Sequence, residues 1–314
     1  MNFAAQLQIL MLELQLPSPL QQLQHSFFDE KQLQVWIKRD DLIHAGISGN
    51  KWRKLEYSIL AARERGKRQV LTFGGAFSNH VVATAIACKA NGLSSIGMIR
   101  GEAHQSLNPT LRQAVEAGMQ LKYLDRGFYK QKESPSFLAQ LKVRYPDAFI
   151  VPEGGANAEG VKGCRKIISE VPFQPDYVLC SAGTGTTAAG LLSEMEEGEL
   201  IVLPAIKGDL GLKQDILTFS KKANVTSKLK MVHDFHFGGY AKVKAELVTF
   251  VNRFYADFQI PLDLIYTAKM AYGFWELLKQ DYFPPNSKVL LIHTGGLQGN
   301  KGMMQRYKIN LDYT

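Results

Sequence analysis

The stretch ISGNKWRK, residues 47–54, places a lysine, Lys51, directly after a glycine-containing turn. A Ser-Gly-Asn turn precedes an amphipathic helix predicted over residues 52–63, so Lys51 lies at or near a helix N-terminus. The partial positive charge there disfavours an ammonium group and lowers the pKa of a lysine. A lysine with a lowered pKa is suited to act as a nucleophile, although most lysines near helix starts are simply solvated.

Length and composition indicate a globular protein of ordinary kind. The 314 residues leave room for two domains, and 46% hydrophobic with 21% charged residues is typical of soluble proteins. No run approaches the roughly 18 apolar residues that a membrane span needs, and the glutamine-rich N-terminus does not resemble a signal peptide. The three cysteines, Cys88, Cys164 and Cys180, are scattered and lack metal-ligand spacing. We therefore expect reduced thiols, no metal and a cytoplasmic location.

The net charge of +8 is the one unusual bulk property. Its basic clusters, residues 63–68 and 221–230, lack aromatic interleaving and belong to no known nucleic-acid module, so they are interpreted as solvated surfaces. A small anionic ligand or cofactor accounts for a modest basic excess, and neither a nucleic acid nor a membrane is expected as a partner.

Strands and helices alternate along most of the chain after an irregular lead-in over residues 1–34. Such alternation predicts an α/β fold of parallel sheets flanked by helices. A tight turn at Lys51 and a glycine-rich stretch at 153–163 predict two domains, a larger one of residues 1–47 and 165–314 and a smaller inserted one of residues 48–164. Predicted strands cover residues 35–43, 69–73, 95–99, 119–124, 148–152, 177–180, 200–206 and 288–293, and a polar, lysine-rich segment follows residue 206.

Three turns that follow predicted strands carry polar side chains, at residues 74–80, 181–187 and 292–296. GGAFSNH, residues 74–80, has two glycines that let backbone amides approach a ligand, and its Ser78 and Asn79 open a helix. Ser78 as a helix cap alone would explain the serine but not the three adjacent polar side chains of Ser78, Asn79 and His80.

The second turn, SAGTGTT at residues 181–187, predicts a phosphate site formed by backbone amides, hydroxyls and a helix dipole. Its Gly183-x-Gly185-x-x-Ala188 spacing also satisfies a dinucleotide fingerprint, which leaves a nicotinamide-dependent dehydrogenase as an alternative. The acidic ribose ligand expected about 20 residues further on is missing, so a monophosphate is the better fit.

Seven motifs occur in one order: SGNKWRK, GGAFSNH, VPEGGANAEGVKGC, SAGTGTTAAG, GGYAKV, IYTAKMAYG and HTGG. Together they resemble the 1-aminocyclopropane-1-carboxylate deaminase/D-cysteine desulfhydrase family, from about Arg39 to Gly296. This family belongs to the tryptophan-synthase-β-like (fold type II) enzymes that use pyridoxal 5′-phosphate (PLP). The resemblance implies a PLP-dependent lyase and deaminase of amino-acid metabolism that acts on a small amino acid as a homodimer.

The resemblance also implies roles for matching residues. Lys51 would bind PLP covalently and later move the α-proton of the substrate. Ser78, Asn79 and His80 would contact the substrate. Ser78 would also be catalytic, by binding the substrate carboxylate and assisting proton transfer, and Asn79 would hold the 3′-oxygen of PLP. The remaining implied residues are the catalytic and substrate-binding tyrosines Tyr240 and Tyr266, the phosphate ligands Gly183, Thr184, Gly185, Thr186 and Thr187, and the neighbours of the ring nitrogen, Thr267 and Thr294.

One departure from the deaminase pattern bears on the reaction. The deaminase follows its active-site tyrosine with a glutamate that keeps the pyridine nitrogen protonated, and here Thr267 takes that place. A neutral hydroxyl supplies no countercharge, which favours β-elimination of a good leaving group such as a thiolate. We expect D-cysteine conversion to pyruvate, hydrogen sulfide and ammonia. The motifs also leave open a deaminase that opens the cyclopropane ring and a protein that binds PLP without catalysis.

Overall fold

A computed structural model describes residues 12–47, 49–103, 106–208, 211–222 and 228–314. Ser48, which the prediction of the Lys51 turn includes, lies outside the described residues. The described residues form two compact units. The smaller contains residues 12–14, 44–47 and 51–163, and the larger contains residues 15–43, 49–50 and 164–314. The crossings at 50/51 and 163/164 lie close to the predicted domain boundaries, and the division into domains stays a prediction.

The elements follow one another in a regular order of strands and helices. The strands are β1 (Leu20–Leu23), β2 (Gln34–Arg39), β3 (Gln69–Gly75), β4 (Ser94–Arg100), β5 (Met119–Leu124), β6 (Ala148–Val151), β7 (Tyr177–Ala182), β8 (Glu199–Pro204), β9 (Leu229–Met231) and β10 (Lys288–His293). The helices are α1 (Ser26–Glu30), α2 (Lys51–Glu64), α3 (Asn79–Ala90), α4 (Pro109–Glu116), α5 (Arg126–Lys130), α6 (Pro135–Arg144), α7 (Ala158–Ser169), α8 (Thr186–Glu194), α9 (Leu212–Ser220), α10 (Ala245–Phe258), α11 (Thr267–Lys279) and α12 (Gln298–Tyr307).

The smaller unit contains a four-stranded parallel sheet in the order β5-β4-β3-β6. Because side chains alternate along a strand, Ile96 and Met98 of β4 pack in one hydrophobic cluster and Ile99 packs in another. The second cluster also contains Val81 and Val82 of α3. Both faces of the sheet are therefore buried, as expected for parallel strands.

The larger unit contains a six-stranded sheet in the order β1-β2-β10-β7-β8-β9. Among the strands that the structure describes in this sheet, only the pair β1–β2 is antiparallel. The main core of the unit joins alternate strand residues such as Leu179 and Leu291 to aromatic residues of α10 and α11 such as Phe254 and Phe274. The carboxyl ends of the parallel strands β7 and β10 lie next to each other and lead into the polar turns predicted at 181–187 and 294–296.

The predicted α/β fold with parallel sheets is therefore observed, but three segments differ from the prediction. The strand predicted over residues 35–43 ends at Arg39, and residues 40–42 form a short 3-10 helix because the N–H of Ile43 turns back to the carbonyl of Asp40. Residues 1–34 were expected to be irregular, whereas β1 and α1 lie within them because β1 pairs with β2 and Phe28 of α1 enters the core. The polar segment after residue 206 contains α9 and β9, since Leu212 and Ile216 recur four residues apart and are buried.

Candidate active site

The turn before Lys51 is held by the turn that follows β10. Gly49 has φ +67, and a Cβ atom on it would lie 1.8 Å from the carbonyl oxygen of Thr294. The N–H of Asn50 donates to the same oxygen at 3.1 Å. Only glycine permits this close backbone approach, and it leaves Lys51, half-buried, as the first residue of α2.

His80 is a buried neutral imidazole whose tautomer follows from its contacts. Its Nε2 lies 2.9 Å from the hydroxyl of Thr72, and that hydroxyl donates its proton to the carbonyl of Val151 at 2.9 Å. Nε2 must therefore carry the ring proton, which leaves a lone pair on Nδ1. Burial first, and then the positive charges of Lys51 and Lys54, lower the pKa of His80 to about 3. Nδ1 accepts no hydrogen bond from the described residues.

Ser78 caps α3, as the sequence suggested. Its hydroxyl oxygen accepts the N–H of Val81 at 3.4 Å, so the hydroxyl proton remains to be donated. A Cβ on Gly74 would lie 2.4 Å from Val81 and 2.8 Å from Ser78, so glycine is required for the turn to close. Asn79 follows, half-buried, and its Oδ1 accepts no hydrogen bond from the described part of the chain.

The 183–187 turn joins β7 to α8 and has the features of an anion site. Gly185 has φ +74 and caps the helix, and a Cβ on it would meet Ile216 at 2.8 Å. The hydroxyls of Thr184 and Thr186 lie 3.0 Å apart at the helix N-terminus, where backbone N–H groups lack helical partners. Bare glycine backbone, two hydroxyls and a helix dipole fit a phosphate group.

Thr187 is the last residue of the predicted phosphate site at 183–187, which we call the cradle. It also contacts Asn50 and Cys164, the residues next to the two chain crossings at 50/51 and 163/164. It is buried, and its Oγ1 accepts from Nδ2 of Asn50 at 2.7 Å and from Sγ of Cys164 at 3.9 Å. These two contacts occupy the acceptor capacity of the oxygen, so the hydroxyl proton is what Thr187 has left for an anion.

The two predicted tyrosines contact each other. The rings of Tyr240 and Tyr266 are 6.2 Å apart and T-shaped, an arrangement that aromatic pairs prefer. A Cβ on Gly183 would lie 3.2 Å from the hydroxyl oxygen of Tyr266. The larger unit therefore brings Tyr240, Tyr266 and the start of the glycine-rich turn together.

Thr267, immediately after Tyr266, is fully buried and bonded to Asp263. Its hydroxyl donates to Oδ1 of Asp263 at 2.9 Å and accepts the N–H of Asp263 at 2.8 Å. The same carboxylate accepts the N–H groups of Ile265, Tyr266 and Thr267 at 2.8–2.9 Å. The proton of the Thr267 hydroxyl is thus used inside this turn and is not available to a ligand.

A buried polar chain leads to the turn after β10. Arg39 binds both carboxylate oxygens of Asp41, at 2.9 and 2.7 Å, and Oδ1 of Asp41 lies 3.3 Å from Nδ1 of His293. Nε2 of His293 contacts the carbonyl of Pro261 at 2.7 Å, and Nδ1 accepts the N–H of Gly295 at 3.2 Å. The contacts of His293 with Pro261 and Gly295 fix the turn that contains Thr294, which is itself buried, and Arg39 holds the nearby carboxylate of Asp41.

The sequence predicted side chains that could contact ligands. It did not predict the residues that hydrogen-bond to those side chains or to their turns. Lys51, Ser78, Asn79 and His80 lie in the smaller unit, and Gly183 to Thr187, Tyr240, Tyr266, Thr267 and Thr294 lie in the larger one. Asp263 was the most visible omission, because an aspartate three residues before Tyr266 is the spacing of a helix cap. Arg39 and Asp41 had no such local signal, since their partner His293 is more than 250 residues away in sequence.

Two negative findings concern the described residues. Among them, no group of His, Cys, Asp or Glu side chains could hold a metal ion. None of the helices that the structure describes is long and apolar enough to cross a membrane.

Comparison with known proteins gives consistent matches over nearly the whole chain. The family model described as "Pyridoxal-phosphate dependent enzyme" matches residues 11–295. A putative 1-aminocyclopropane-1-carboxylate deaminase of Pyrococcus horikoshii is 32% identical over 283 residues, 84% of this chain and 85% of that protein. The mitochondrial bifunctional D-cysteine desulfhydrase/1-aminocyclopropane-1-carboxylate deaminase of Arabidopsis thaliana is 28% identical over 292 residues, 85% of this chain and 73% of that protein.

Solved structures agree with these matches. A crystal structure of an ACC deaminase homologue superposes with a TM-score of 0.78 and 26% identity, and covers 97% of this chain and 99% of that one. Processed threonine deaminase isoform 2 of Solanum lycopersicum, at 14% identity, shares the fold with a TM-score of 0.67, over 98% of this chain and 93% of that one. The predicted fold class is confirmed.

Proposed function

The chain belongs to the family of pyridoxal-phosphate dependent enzymes, within its 1-aminocyclopropane-1-carboxylate deaminase group, and we propose that it eliminates the β-substituent of a small amino acid. The proposed reaction converts D-cysteine and water to pyruvate, hydrogen sulfide and ammonia. The family excludes the nicotinamide-dependent dehydrogenase and the non-catalytic binder that the sequence had left open. The observation that carries the choice of reaction is the bonding of Thr267 to Asp263.

The residues of this chain fit the cofactor. The 183–187 turn is suited to its phosphate, the side-chain NH₂ of Asn79 is suited to donate to its 3′-oxygen, and the amine of Lys51 is suited to bind it covalently. Bound pyridoxal phosphate withdraws electrons from the α-carbon of an amino acid. The protein has to bind, orient and deprotonate the substrate.

Ser78 and Lys51 are the groups proposed for these tasks. The hydroxyl proton of Ser78 and the free N–H groups at the start of α3 suit a substrate carboxylate. Lys51 is proposed to take the α-proton, and the neutral, buried His80 adds no positive charge beside it. Tyr240 and Tyr266 form an aromatic pair proposed to contact the substrate at its β-carbon side.

The position of Thr267 favours elimination over ring opening. Its hydroxyl proton is directed to Asp263, so Thr267 supplies neither a proton nor a charge to the ring nitrogen of the cofactor. Without that support the α-carbanion is less stabilised, and each 1.4 kcal/mol of lost stabilisation costs about tenfold in rate. A thiolate leaves readily, whereas a carbon leaving group in an unactivated cyclopropane needs the missing support.

The second candidate, 1-aminocyclopropane-1-carboxylate deamination, is favoured by the names of the relatives and by the presence of both tyrosines. Steady-state kinetics with D-cysteine, L-cysteine and 1-aminocyclopropane-1-carboxylate separates the two. We expect pyruvate from D-cysteine and no comparable 2-oxobutanoate from the cyclopropane, with Lys51→Ala inactive on both. Ring opening at a rate comparable to D-cysteine turnover would overturn the proposal.

The homodimer and the cytoplasmic location implied by the resemblance remain proposals. Light scattering of the purified chain distinguishes a dimer of two 35.1 kDa subunits from a monomer.

A further inference from the structure

Tyr240 lies on an irregular segment, residues 232–244, between β9 and α10. It is 45% exposed, so burial alone does not fix its position. Its backbone neighbours are in unusual conformations, with φ +112 at Gly239 and φ +53 at Ala241. A non-glycine residue in the left-handed region costs roughly 1–2 kcal/mol, so this conformation requires other contacts to hold it.

Lys269 provides one such contact. It lies on α11, is 1% exposed, and its Nζ donates to the carbonyl of Gly239 at 2.8 Å. An isolated ammonium is costly to bury, and this one is directed at the peptide group just before Tyr240. Among the described residues, Asp263 is the acidic group that raises the pKa of Lys269, against the larger effect of burial, and its oxygens are already used by the amides at the start of α11.

Tyr307 of α12 provides a second contact on the other side of Tyr240. Its hydroxyl donates to the carbonyl of Ala241 at 2.9 Å. The carbonyls of the two residues that flank Tyr240, Gly239 and Ala241, therefore each accept a hydrogen bond from a side chain of a different helix. These two hydrogen bonds constrain the backbone on both sides of Tyr240 and therefore the direction in which its Cα–Cβ bond leaves the chain.

The lysine tether and the second tyrosine belong to one helix. Lys269 lies three residues after Tyr266, so both lie within one turn of helix at the start of α11. We propose that Lys269, with Tyr307, is a positioning residue that places Tyr240 against Tyr266. This proposal rests on the proposed role of the tyrosines in the reaction, and a purely structural role for Lys269 is the alternative.

Two measurements on the PLP-loaded enzyme separate these roles. The first is a double-mutant cycle of Lys269→Met and Tyr240→Phe, scored by pyruvate release. If Lys269 acts through Tyr240, its replacement lowers kcat about tenfold in the wild type and by less than about twofold in the Tyr240→Phe background. The second is hydrogen–deuterium exchange of the peptide that covers residues 238–242, which we expect to become faster in Lys269→Met.

Matched variants control for damage to the fold. Tyr307→Phe removes one hydroxyl and should reproduce both effects, and it replaces Lys269→Met if the latter does not fold. Lys279 lies at the exposed end of the same helix and pairs with Glu276. Lys279→Met should change neither kcat nor the exchange of residues 238–242. Unchanged exchange over residues 238–242, or kinetic losses that simply multiply in the double mutant, would refute the positioning role.

The failure of the proposed function has a different signature. If Tyr240→Phe alone keeps full activity, the role of Tyr240 in the reaction is wrong. The exchange measurement still decides whether Lys269 and Tyr307 hold the segment.

Discussion

Asp263 organises the residues at the start of α11. One buried carboxylate accepts three backbone N–H groups and the hydroxyl of Thr267, and this leaves Tyr266 directed towards Gly183. In the deaminase pattern a glutamate follows the active-site tyrosine, and in this chain Thr267 takes its place. The structure adds that the hydroxyl of this threonine donates to Asp263, which supports the proposal that it donates nothing to the ring nitrogen of the cofactor.

We predict that Thr267→Val destabilises the protein more than Thr267→Ser. Valine has a similar shape but leaves the N–H of Asp263 and one carboxylate oxygen without their hydroxyl partner. The loss of a buried partner costs about 1–3 kcal/mol, whereas serine retains the hydroxyl. Urea unfolding of the three proteins measures the difference, and equal midpoints for the two variants would contradict the bonding described here.

A second residue-scale prediction concerns the attachment of the cofactor. Borohydride reduction of the loaded enzyme followed by peptide mass mapping should place the pyridoxyl group on Lys51. Lys54 is the internal control, because it lies one turn further along α2 and is buried. Modification of Lys54 instead, or of neither lysine, is the contrary result.

At the scale of elements, local chemistry was enough to predict most of the fold. Asn108 and Pro109 are a local signal for a helix start, and they begin α4, with the N–H of Leu111 donating to the side chain of Asn108 at 2.9 Å. The short strand β1 could not be predicted in this way, because LQQL has no alternation and becomes a strand only by pairing with β2. The glycine-rich turn before α8 was predictable since its glycines and threonines and the helix are consecutive in sequence, whereas the side chains that bond the backbone around Tyr240 come from α11 and α12.

The cradle itself gives an element-scale prediction. Thr187→Asp should weaken PLP binding by orders of magnitude, because it places a carboxylate near a phosphate dianion. Thr187→Ser keeps the oxygen that accepts from Asn50 and should bind nearly normally. Equilibrium dialysis of the cofactor compares the two variants, and retention of PLP by Thr187→Asp would exclude the phosphate site proposed here.

At the scale of the whole molecule, two buried bases shape the pH dependence of stability. Burial lowers the pKa of His80 to about 3 and that of Lys269 to about 8. Below pH about 6.5 the unfolded chain protonates its histidine and the folded chain does not, so stability falls as the pH decreases towards 3. Between pH about 8 and 10 the folded chain loses the Lys269 proton first, so this group makes stability rise with pH.

We therefore expect Lys269→Met to remove a positive slope in the free energy of unfolding between pH 8 and 10, on the order of 3 kcal/mol over the full shift. Above pH 10 the free energy of unfolding should fall as the pH rises. Burial raises the pKa values of Tyr272, Tyr282 and Tyr313 in the folded state, so the unfolded chain loses these protons first. Denaturant titrations at several pH values test this. A Lys269→Met protein with the same slope as the wild type would show that the lysine is not the source.

The hydroxyl of Thr187, which contacts both Asn50 and Cys164, has a consequence for protein engineering. The residues that flank the 51–163 segment lie within contact distance of one oxygen atom, 2.7 Å on one side and 3.9 Å on the other. Excision of codons 51–163 and their replacement by a few Gly-Ser codons should therefore need no long spacer, since each linker residue spans up to about 3.5 Å. The shortened gene product should melt in a single cooperative transition with the helix content of the larger unit. A broad, non-cooperative transition would mean that the larger unit does not fold without residues 51–163.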